Sequence, residues 1–449
     1  MHDLMLNTLQ LLKCKNLHQA ILSCLLLNST ISYAQTPTTT AIPETLNKTQ
    51  YQLLFKDDFD GTGTPSPADW LLRKNHKLGG SSVPGNVLQK DGILSVLFTQ
   101  DSTASGDEKF KGGGIVSAHN FGYGYYEAKV KLYGGKPELS GFHQSFWSMG
   151  LTGTNEAEGA GIRQPLVEQD NFPQENRVLE IDGFEMDSRG HKLAQNYHIY
   201  TPVHTSEQPN PKEVDKDVSK WIIVGYEWLP DRINFYCDHK FIGTKWLKGK
   251  WQVYAPQNVW LTALPIATDW SGPLLAPPIG AAMQADYFKF YAKNMVGVNR
   301  IGNADFEHRV LGGDPSYPVA WIVARTKGND TSAVKVITDS TSAKNGNRFL
   351  QFQSDKEFKA TAMQVLQYIP NGKYVLTAWV KSRGTKKQAE ITVISGTTKK
   401  TIKVPAYKNW TKVSLNHVSV QNTKAIIKIT TTAGANQKLQ VDGVTFSEM

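Results

Sequence analysis

The sequence predicts an all-β protein with one large β-sandwich followed by a smaller one. Short runs of alternating apolar and polar residues recur along the chain and are separated by Gly, Pro, Asn and Asp. This period of two is typical of half-buried strands. Stretches with helical spacing are few, and aromatic residues make up 10% of the chain, which also favours sheets.

The N-terminal segment, residues 1–34, resembles a secretory signal. An apolar stretch, Ala20–Leu27, follows two lysines, and small residues at Ser32 and Ala34 precede Gln35. We therefore expect cleavage near Ala34-Gln35 and a secreted, periplasmic or cell-surface protein. A lipid-anchored alternative at Cys24 is disfavoured because this Cys lies early in the apolar run.

Two strand-rich regions follow a linker rich in Thr and Pro at 35–49. The regions span 50–295 and 300–449, and no repeat with a period of about 20–50 residues is present. Every candidate catalytic motif lies in the first region. We therefore predict two domains and expect the second to be removable without loss of activity on short soluble substrates.

Charge separates the same two regions. The chain has a net charge of +9, but residues 301–449 alone hold 21 Lys and Arg against 10 Asp and Glu, so the rest is close to neutral. Such a basic exported domain favours an acidic polysaccharide, or its lysines serve only solubility; both readings stay open. No nucleic acid partner is expected. No apolar run reaches the roughly 18 residues of a membrane span.

Cysteine usage excludes two kinds of site. After signal cleavage only Cys237 remains of the three Cys residues. The mature chain therefore has no pair for an intrachain disulfide and no Cys cluster for a metal or redox motif. We expect no cofactor, although a structural calcium ion stays open.

Three carboxylates in one short segment stand apart from the rest of the sequence. Glu180 and Asp182 are two residues apart, so both side chains lie on the same face of a strand. Glu185 would lie on the opposite face unless one extra residue forms a β-bulge, for which Gly183 is the natural place. Crowded carboxylates repel, which raises at least one pKa.

Paired carboxylates at short range are the minimal equipment of a retaining glycoside hydrolase. In that chemistry one carboxylate attacks the anomeric carbon and a protonated partner delivers a proton to the leaving oxygen. An acidic edge strand and a cation-binding cluster are the alternatives. The apolar neighbours Leu179, Ile181 and Phe184 favour a buried strand instead.

The segment Glu180–Glu185 resembles the bulged Glu-x-Asp-x-x-Glu motif of glycoside hydrolase family 16. Further similarity extends over about residues 51–292, including Phe121–Lys129, Ser145–Trp147 and Ala282–Tyr291. The resemblance implies a concanavalin A-like jelly-roll sandwich with a cleft on its concave face. It also implies Glu180 as nucleophile, Glu185 as acid/base and Asp182 as the carboxylate beside the nucleophile.

Other cleft residues follow from parity and from the same resemblance. Trp147 matches the family Trp that stacks on the sugar, and His198 matches a cleft His able to contact the acid/base. His143 shares the face of Trp147 and is either a substrate ligand or a structural histidine. Trp260 and Trp270 are predicted equally for cleft and core, and Trp228 is predicted to be structural.

The C-terminal region resembles the β-sandwich carbohydrate-binding modules of secreted glycosidases. The similarity rests on Asn303–Glu307, Gly372–Val380 and Val441–Val444. Non-binding spacer domains share this fold, so sugar binding stays open, and core positions are favoured for Trp321, Trp379 and Trp410.

These observations predict a monomeric, endo-acting, retaining β-glycoside hydrolase whose partner is a polysaccharide. A galactan of the agar, porphyran, carrageenan or keratan type is favoured over a β-1,3-glucan. The reasons are the basic second domain, His143 and Gln144 on the cleft strand, and Arg163 in the polar segment Thr152–Arg177. An endo-β-1,3-glucanase and a non-catalytic lectin-like protein are the alternatives.

Overall fold

The computed structural model describes residues 42–449 except 78–79, 135–138, 152–176, 191, 201–204, 207–213, 268–270, 310–313, 325–327 and 384–387. Residues Pro43–Met449 form one compact unit. The predicted signal segment, Arg163 and Trp270 lie outside the described residues.

The first part of the described chain is built from β-strands, as its alternating pattern predicts. The strands are β1 (Tyr51–Asp57), β2 (Trp70–Leu72), β3 (Asn75–Lys77), β4 (Gly80–Ser82), β5 (Val87–Lys90), β6 (Ile93–Leu97), β7 (Thr99–Gln100), β8 (Phe110–Ser117), β9 (Gly124–Lys131), β10 (Phe142–Leu151), β11 (Arg177–Asp187), β12 (Lys192–Ile199), β13 (Thr205–Ser206), β14 (Val214–Asp215), β15 (Ile222–Trp228), β16 (Arg232–Cys237), β17 (Lys240–Trp246), β18 (Asn258–Pro265) and β19 (Ala282–Lys293).

The second part continues in the same manner. Its strands are β20 (Ile322–Val323), β21 (Val334–Thr338), β22 (Arg348–Gln353), β23 (Phe358–Gln367), β24 (Gly372–Arg383), β25 (Gln388–Ser395), β26 (Thr398–Lys403), β27 (Thr411–Val420), β28 (Lys424–Ala433) and β29 (Lys438–Glu448). Helical structure in the described ranges is limited to short 3-10 turns at Lys48–Gln50, Pro84–Asn86, Gly106–Lys109, Gly249–Trp251 and Thr331–Ala333. None of the described helices has the length and apolar character needed to cross a membrane.

Two sheets form the first sandwich. One has the strand order β17-β16-β15-β9-β19-β6-β5, with β1 also paired to β19, and the other has the order β13-β12-β11-β10-β18-β8-β4-β3. Between them lies one apolar core that joins side chains from both sheets, such as Tyr126 and Phe290 with Phe146 and Phe184. Trp228 is fully buried in this core, as predicted. The all-β prediction is confirmed.

Two five-stranded sheets form the second, smaller sandwich. Their orders are β20-β23-β28-β25-β26 and β21-β22-β29-β24-β27. Trp321 lies in the core between them, as predicted. Trp379 does not: it alternates with the core residues Ala378 and Val380 and is half-buried on the outward face of its sheet. Trp410 is also outside this core, with its indole N–H bonded to the Ser342 carbonyl at 2.8 Å.

The two sandwiches share an apolar contact. The Tyr368 ring packs 5.5 Å from Phe55, 5.2 Å from His119 and 4.9 Å from Phe121, measured between ring centroids. Arg300 is 1% exposed and donates to the Lys293 carbonyl at 2.7 Å, while its own backbone N–H bonds the Phe446 carbonyl. Removal of the second sandwich would expose the aromatic side chains that Tyr368 covers. The contacts therefore argue against a second domain that can be removed without loss of stability.

Candidate active site

The predicted bulge is present in β11. Against β10, Phe184 pairs with Phe146 but the next pair is Asp182 with Trp147, so Gly183 is the extra residue. The pairing with β12 shifts at the same place, between Asp182 and Glu185. The bulge restores the parity of Glu185, because an extra residue moves all later side chains to the other face.

Glycine at the bulge is required by its surroundings. A Cβ atom built on Gly183 would lie 2.7 Å from Cδ1 of Tyr226, a ring that is itself fully buried in the core. The Tyr226 ring stacks on Tyr126 at 4.6 Å with 13° between planes and cannot yield easily. The Tyr226 ring therefore occupies the space that a side chain at position 183 would need, and the bulge requires glycine for this reason.

The three carboxylates lie on the face of the sheet opposite to the core. In register, Glu180 is flanked by Met149 and His198, Asp182 by Trp147 and Asn196, and Glu185 by Ser145 and Ala194. Their sequence neighbours Leu179, Ile181 and Phe184 belong to the core. The structure thus brings together all six predicted site residues, Glu180, Asp182, Glu185, Trp147, His198 and His143.

Glu180 is held by a tyrosine that the sequence reasoning missed. The Tyr200 hydroxyl donates to Glu180 Oε2 at 2.8 Å, and Tyr200 is only 3% exposed. Its ring lies 6.2 Å from that of His198 with 18° between planes. Because Tyr200 engages Oε2, the other oxygen, Oε1, is the one available to a ligand.

Glu185 contacts His143, a histidine on the neighbouring strand β10. His143 Nε2 lies 3.2 Å from Glu185 Oε1, and the His143 side chain is 8% exposed against 32% for Glu185. His143 therefore lies beneath the carboxylate and orients it, and a substrate would reach Glu185 first. Of the two predicted roles of His143, a substrate ligand or a structural histidine, this contact favours the structural one.

Asp182 pairs with His198, and Glu185 also lies close enough for its charge to raise the pKa of that histidine. His198 Nε2 lies 3.3 Å from Asp182 Oδ2, and the Asp182 side chain is 3% exposed. Burial, followed by the charges of Glu185 and Glu180, raises the pKa of Asp182 well above its usual range, although the His198 contact opposes this. Burial lowers the pKa of His198, but its contact with Asp182 and the nearby carboxylates outweigh burial and raise that pKa overall. The pair therefore holds a proton at the centre of the carboxylate row.

The same residues have the spacing of a small cation site. One ligand atom each from Glu180, Asp182 and His198 lies within 4.8 Å of the other two. The Tyr200 bond to Glu180 and the His198 contact with Asp182 already account for this proximity by hydrogen-bonding and ionic contacts. We therefore interpret the group as a carboxylate row rather than as a metal centre.

A stacked pair of tryptophans lies beside the carboxylates. Trp147 stacks on Trp260 at 4.7 Å with 23° between planes, and its indole N–H donates to Thr262 Oγ1 at 3.1 Å. Trp147 is 8% exposed, whereas Trp260 is fully buried on the same side of the sheet, with the Arg73 guanidinium 5.3 Å from its ring centroid. Trp260 therefore backs Trp147, and Trp147 is the more exposed ring of the pair.

Tyr200 could have been predicted from the alternation of side chains along a strand, because it lies two residues after His198 and so shares its face. The partner of each histidine could not be found in this way, because it depends on strand register and on the bulge. Thr262 and Arg73 carry no sequence signal of their own, since each comes from a strand or loop distant in sequence from the motif.

Comparison with known proteins gives only distant likenesses. The sequence matches no protein-family model and no curated protein. Among solved structures, LamAcat from Zobellia galactanivorans is 16% identical, with 55% of this chain and 100% of that chain covered and a TM-score of 0.43. The catalytic domain of an endo-1,3-beta-glucanase (laminarinase) from Thermotoga petrophila is 17% identical, with 55% and 99% covered and a TM-score of 0.39. TmCBM61, solved with beta-1,4-galactotriose, is 20% identical, with 34% and 100% covered and a TM-score of 0.30. At these TM-scores no conclusion about this chain rests on the likenesses.

Proposed function

We propose that the protein is a retaining, endo-acting β-glycoside hydrolase of the family 16 type. One observation carries the proposal: a β-bulge brings three carboxylates to one face of β11, and separate side chains hold each of them. A sheet that only supported a fold would gain nothing from a buried acid between two others, because like charges at short range destabilise one another.

In the first step Glu180 attacks the anomeric carbon through Oε1, the oxygen that Tyr200 does not engage. Glu185, whose side chain is 32% exposed, donates its proton to the leaving oxygen. The bond that forms joins Glu180 to the sugar, and the glycosidic bond breaks with its electron pair on the protonated leaving group. Trp147 offers an aromatic face to the sugar beside these residues.

In the second step Glu185, now ionised, takes a proton from water while the water oxygen attacks the anomeric carbon. Glu180 then leaves as a carboxylate, and the Tyr200 hydroxyl stabilises the charge that returns to it. Asp182 and His198 share one proton, so the centre of the row stays close to neutral while Glu180 carries the negative charge that the next attack uses.

The catalytic assignment is tested with Glu180→Ala and Glu185→Ala. Each should abolish hydrolysis with a near-native melting temperature, since neither side chain fills the core. The proton-transfer contribution alone is about 10²–10⁴-fold. Azide should rescue Glu180→Ala by replacing the nucleophile. Asp217→Ala, an exposed carboxylate near β15, is the control and should keep full activity.

Two results would contradict this assignment. Wild-type activity in either variant would contradict the roles proposed for the two carboxylates. A wild-type protein that binds polysaccharide without cleaving it would favour the lectin-like alternative. NMR early in the reaction should detect product with the anomeric configuration of the substrate; the inverted anomer would overturn the retaining mechanism.

For the substrate we propose a galactan of the agar, porphyran, carrageenan or keratan type. Two of the side chains that favoured it are engaged by groups of the protein itself. Gln144 is fully buried and accepts a hydrogen bond from the Tyr133 N–H at 2.7 Å, and His143 is engaged by Glu185. The proposal therefore rests on the basic second sandwich. Product analysis on agar, porphyran, carrageenan, keratan-type galactan, laminarin and lichenan tests it, and release from laminarin alone would establish an endo-β-1,3-glucanase instead.

A further inference from the structure

The outward side of the sheet β21-β22-β29-β24-β27 carries a group of side chains that catalysis does not use. We call it the Trp379 face. Its positions alternate along each strand with core residues, as Gln351 does with Leu350 and Phe352. Five of the cations on this face are Lys335, Lys381, Arg383, Lys412 and Lys438.

These five cations lack the carboxylate partners that basic residues of the first sandwich have. None of them makes an ion pair within 4.0 Å with a described residue. On the described strands of this face the carboxylate is Asp442, which is fully buried and accepts from the Lys344 and Asn345 N–H groups at 2.9 Å each. The positive charge of the face is therefore directed to solvent.

Hydrogen-bonding groups run between the cations. Lys335, Gln351, Gln440 and Lys381 are in register across four strands, so about 14 Å separates the two lysines at a strand spacing of about 4.8 Å. The Gln440 amide donates to Gln351 at 3.0 Å, which orients both amides. Gln440 is only 4% exposed, whereas Gln351 is half-buried and donates in turn to Gln353 Oε1 at 3.0 Å. Gln351 and Gln353 are therefore the amides of this face that a hydroxyl group can reach.

Trp379 completes the face with an aromatic surface. It lies two residues before Lys381 on β24 and pairs in register with Lys412 on β27. The Lys344 ammonium lies 4.2 Å from the centroid of its ring. A sugar has apolar C–H faces that pack on aromatic rings, so Trp379 supplies the contact that charge and amides do not.

The other sheet of the same sandwich provides an internal comparison. Its outward strand positions carry as many lysines, but in the described residues these alternate with Thr and aliphatic side chains and include no aromatic ring. Glu390 also lies in register with one of these lysines, Lys403. A comparable number of lysines without an aromatic ring makes this second face a matched control.

We propose that the Trp379 face binds a polysaccharide that carries sulfate esters. The cations contact the sulfates, the glutamine amides contact hydroxyl groups and Trp379 packs on a sugar ring. The choice of a sugar polymer rests on the proposed function, whereas the binding itself does not need the cleft. The face would hold the chain on a sulfated galactan while the cleft cuts it.

The test measures binding of the full-length protein to carrageenan by affinity electrophoresis and calorimetry. The triple variant Lys335→Gln/Lys381→Gln/Lys412→Gln should bind at least about tenfold more weakly, since each exposed ion pair contributes a modest amount. Trp379→Ala should weaken binding without changing net charge. The control, Lys399→Gln/Lys403→Gln/Lys428→Gln, removes the same charge from the other sheet and should bind within about twofold of wild type.

Several outcomes would overturn the proposal. Equal losses in both triple variants would indicate unspecific attraction. Undiminished binding to the desulfated polymer, or equal binding to polygalacturonate or to duplex DNA, would exclude sulfate recognition. Hydrolysis of short soluble oligosaccharides is measured in parallel and should be unchanged in both triples. Glu180→Ala should still bind, because binding does not need the cleft. Binding without hydrolysis by the wild-type protein would refute the proposed enzyme and leave this inference standing.

Discussion

Replacement of Tyr200 by Phe tests the chemistry of the site without dismantling it. Tyr200 is almost fully buried, and Phe retains the ring that lies beside His198 while it removes the hydroxyl that donates to Glu180 at 2.8 Å. We expect the second chemical step to slow more than the first. Glu180 loses negative charge as it forms the glycosyl bond, and it regains this charge only when it leaves.

The magnitude follows from the energy of one hydrogen bond. A bond to a charged acceptor contributes about 1.5–3 kcal/mol. If about half of the charge has returned to Glu180 in the second transition state, about 0.75–1.5 kcal/mol of stabilisation is lost there, which corresponds to about a 4- to 13-fold slower step. The first step is not slowed by the same loss, because the bond stabilises the fully charged Glu180 of the free enzyme more than the half-charged Glu180 of the first transition state. Thus kcat should fall by this factor while kcat/KM for an activated aryl glycoside should not fall.

The assay is stopped-flow release of the aryl group, followed by mass spectrometry of the quenched enzyme. Tyr200→Phe should give a burst of one equivalent and an enzyme carrying one glycosyl group. Tyr287→Phe is the matched control, since that hydroxyl donates to the buried Glu127 at 2.9 Å in the opposite sheet; it should lower stability and leave kcat unchanged. Equal falls in kcat and kcat/KM, with no burst, would refute the reasoning.

Three further perturbations concern stability. Asp182→Asn should raise the melting temperature at pH 7.5 and not at pH 3.5. Folding raises the pKa of Asp182, so this carboxyl destabilises the fold above its native pKa and has no effect on stability below its unfolded pKa; an equal difference in melting temperature at both pH values would contradict the assignment. Tyr368→Ala should lower the free energy of unfolding, measured in urea, by about 2 kcal/mol, which is about half the loss for a fully buried ring. A chain that ends before residue 300 should not fold stably, and a soluble fragment that unfolds cooperatively would show that the two sandwiches are independent. Gly183→Val should lower the melting temperature and activity together through collision with Tyr226, and Tyr226→Ala in the same chain should recover part of the loss.

Alternation predicted where strands lie, but it could not predict which strands pair. Strand β9 pairs with β15 on one side and with β19 on the other, so Tyr126 lies between Tyr226 and Phe290. These partners are about 100 and 160 residues away, and no local pattern encodes them. Contacts between the sandwiches were missed for the same reason: Tyr368 has no sequence feature that marks it as a contact of Phe121.

The carboxylates were predictable because they belong to one strand. Parity placed Glu180 and Asp182 together, and the bulge at Gly183 follows from the need to bring Glu185 to their face. The histidines come from neighbouring strands, and their partners depend on a register that the bulge itself alters. His198 lies opposite Glu180 in register yet contacts Asp182, while His143 on β10 reaches Glu185.

The position of Trp379 could have been inferred from sequence had polar residues been weighed together with apolar ones. On β24 both parities contain apolar residues, so hydrophobicity alone leaves open which face is buried. Lys381 and Arg383 share the parity of Trp379, and two cations are costly to bury without partners, whereas Ala378 and Val380 alternate with them. The cations therefore identify the outward face, and they assign Trp379 to it. A tryptophan whose parity partners are charged is a surface residue with an apolar ring, and this combination makes the second sandwich a candidate for binding rather than a spacer.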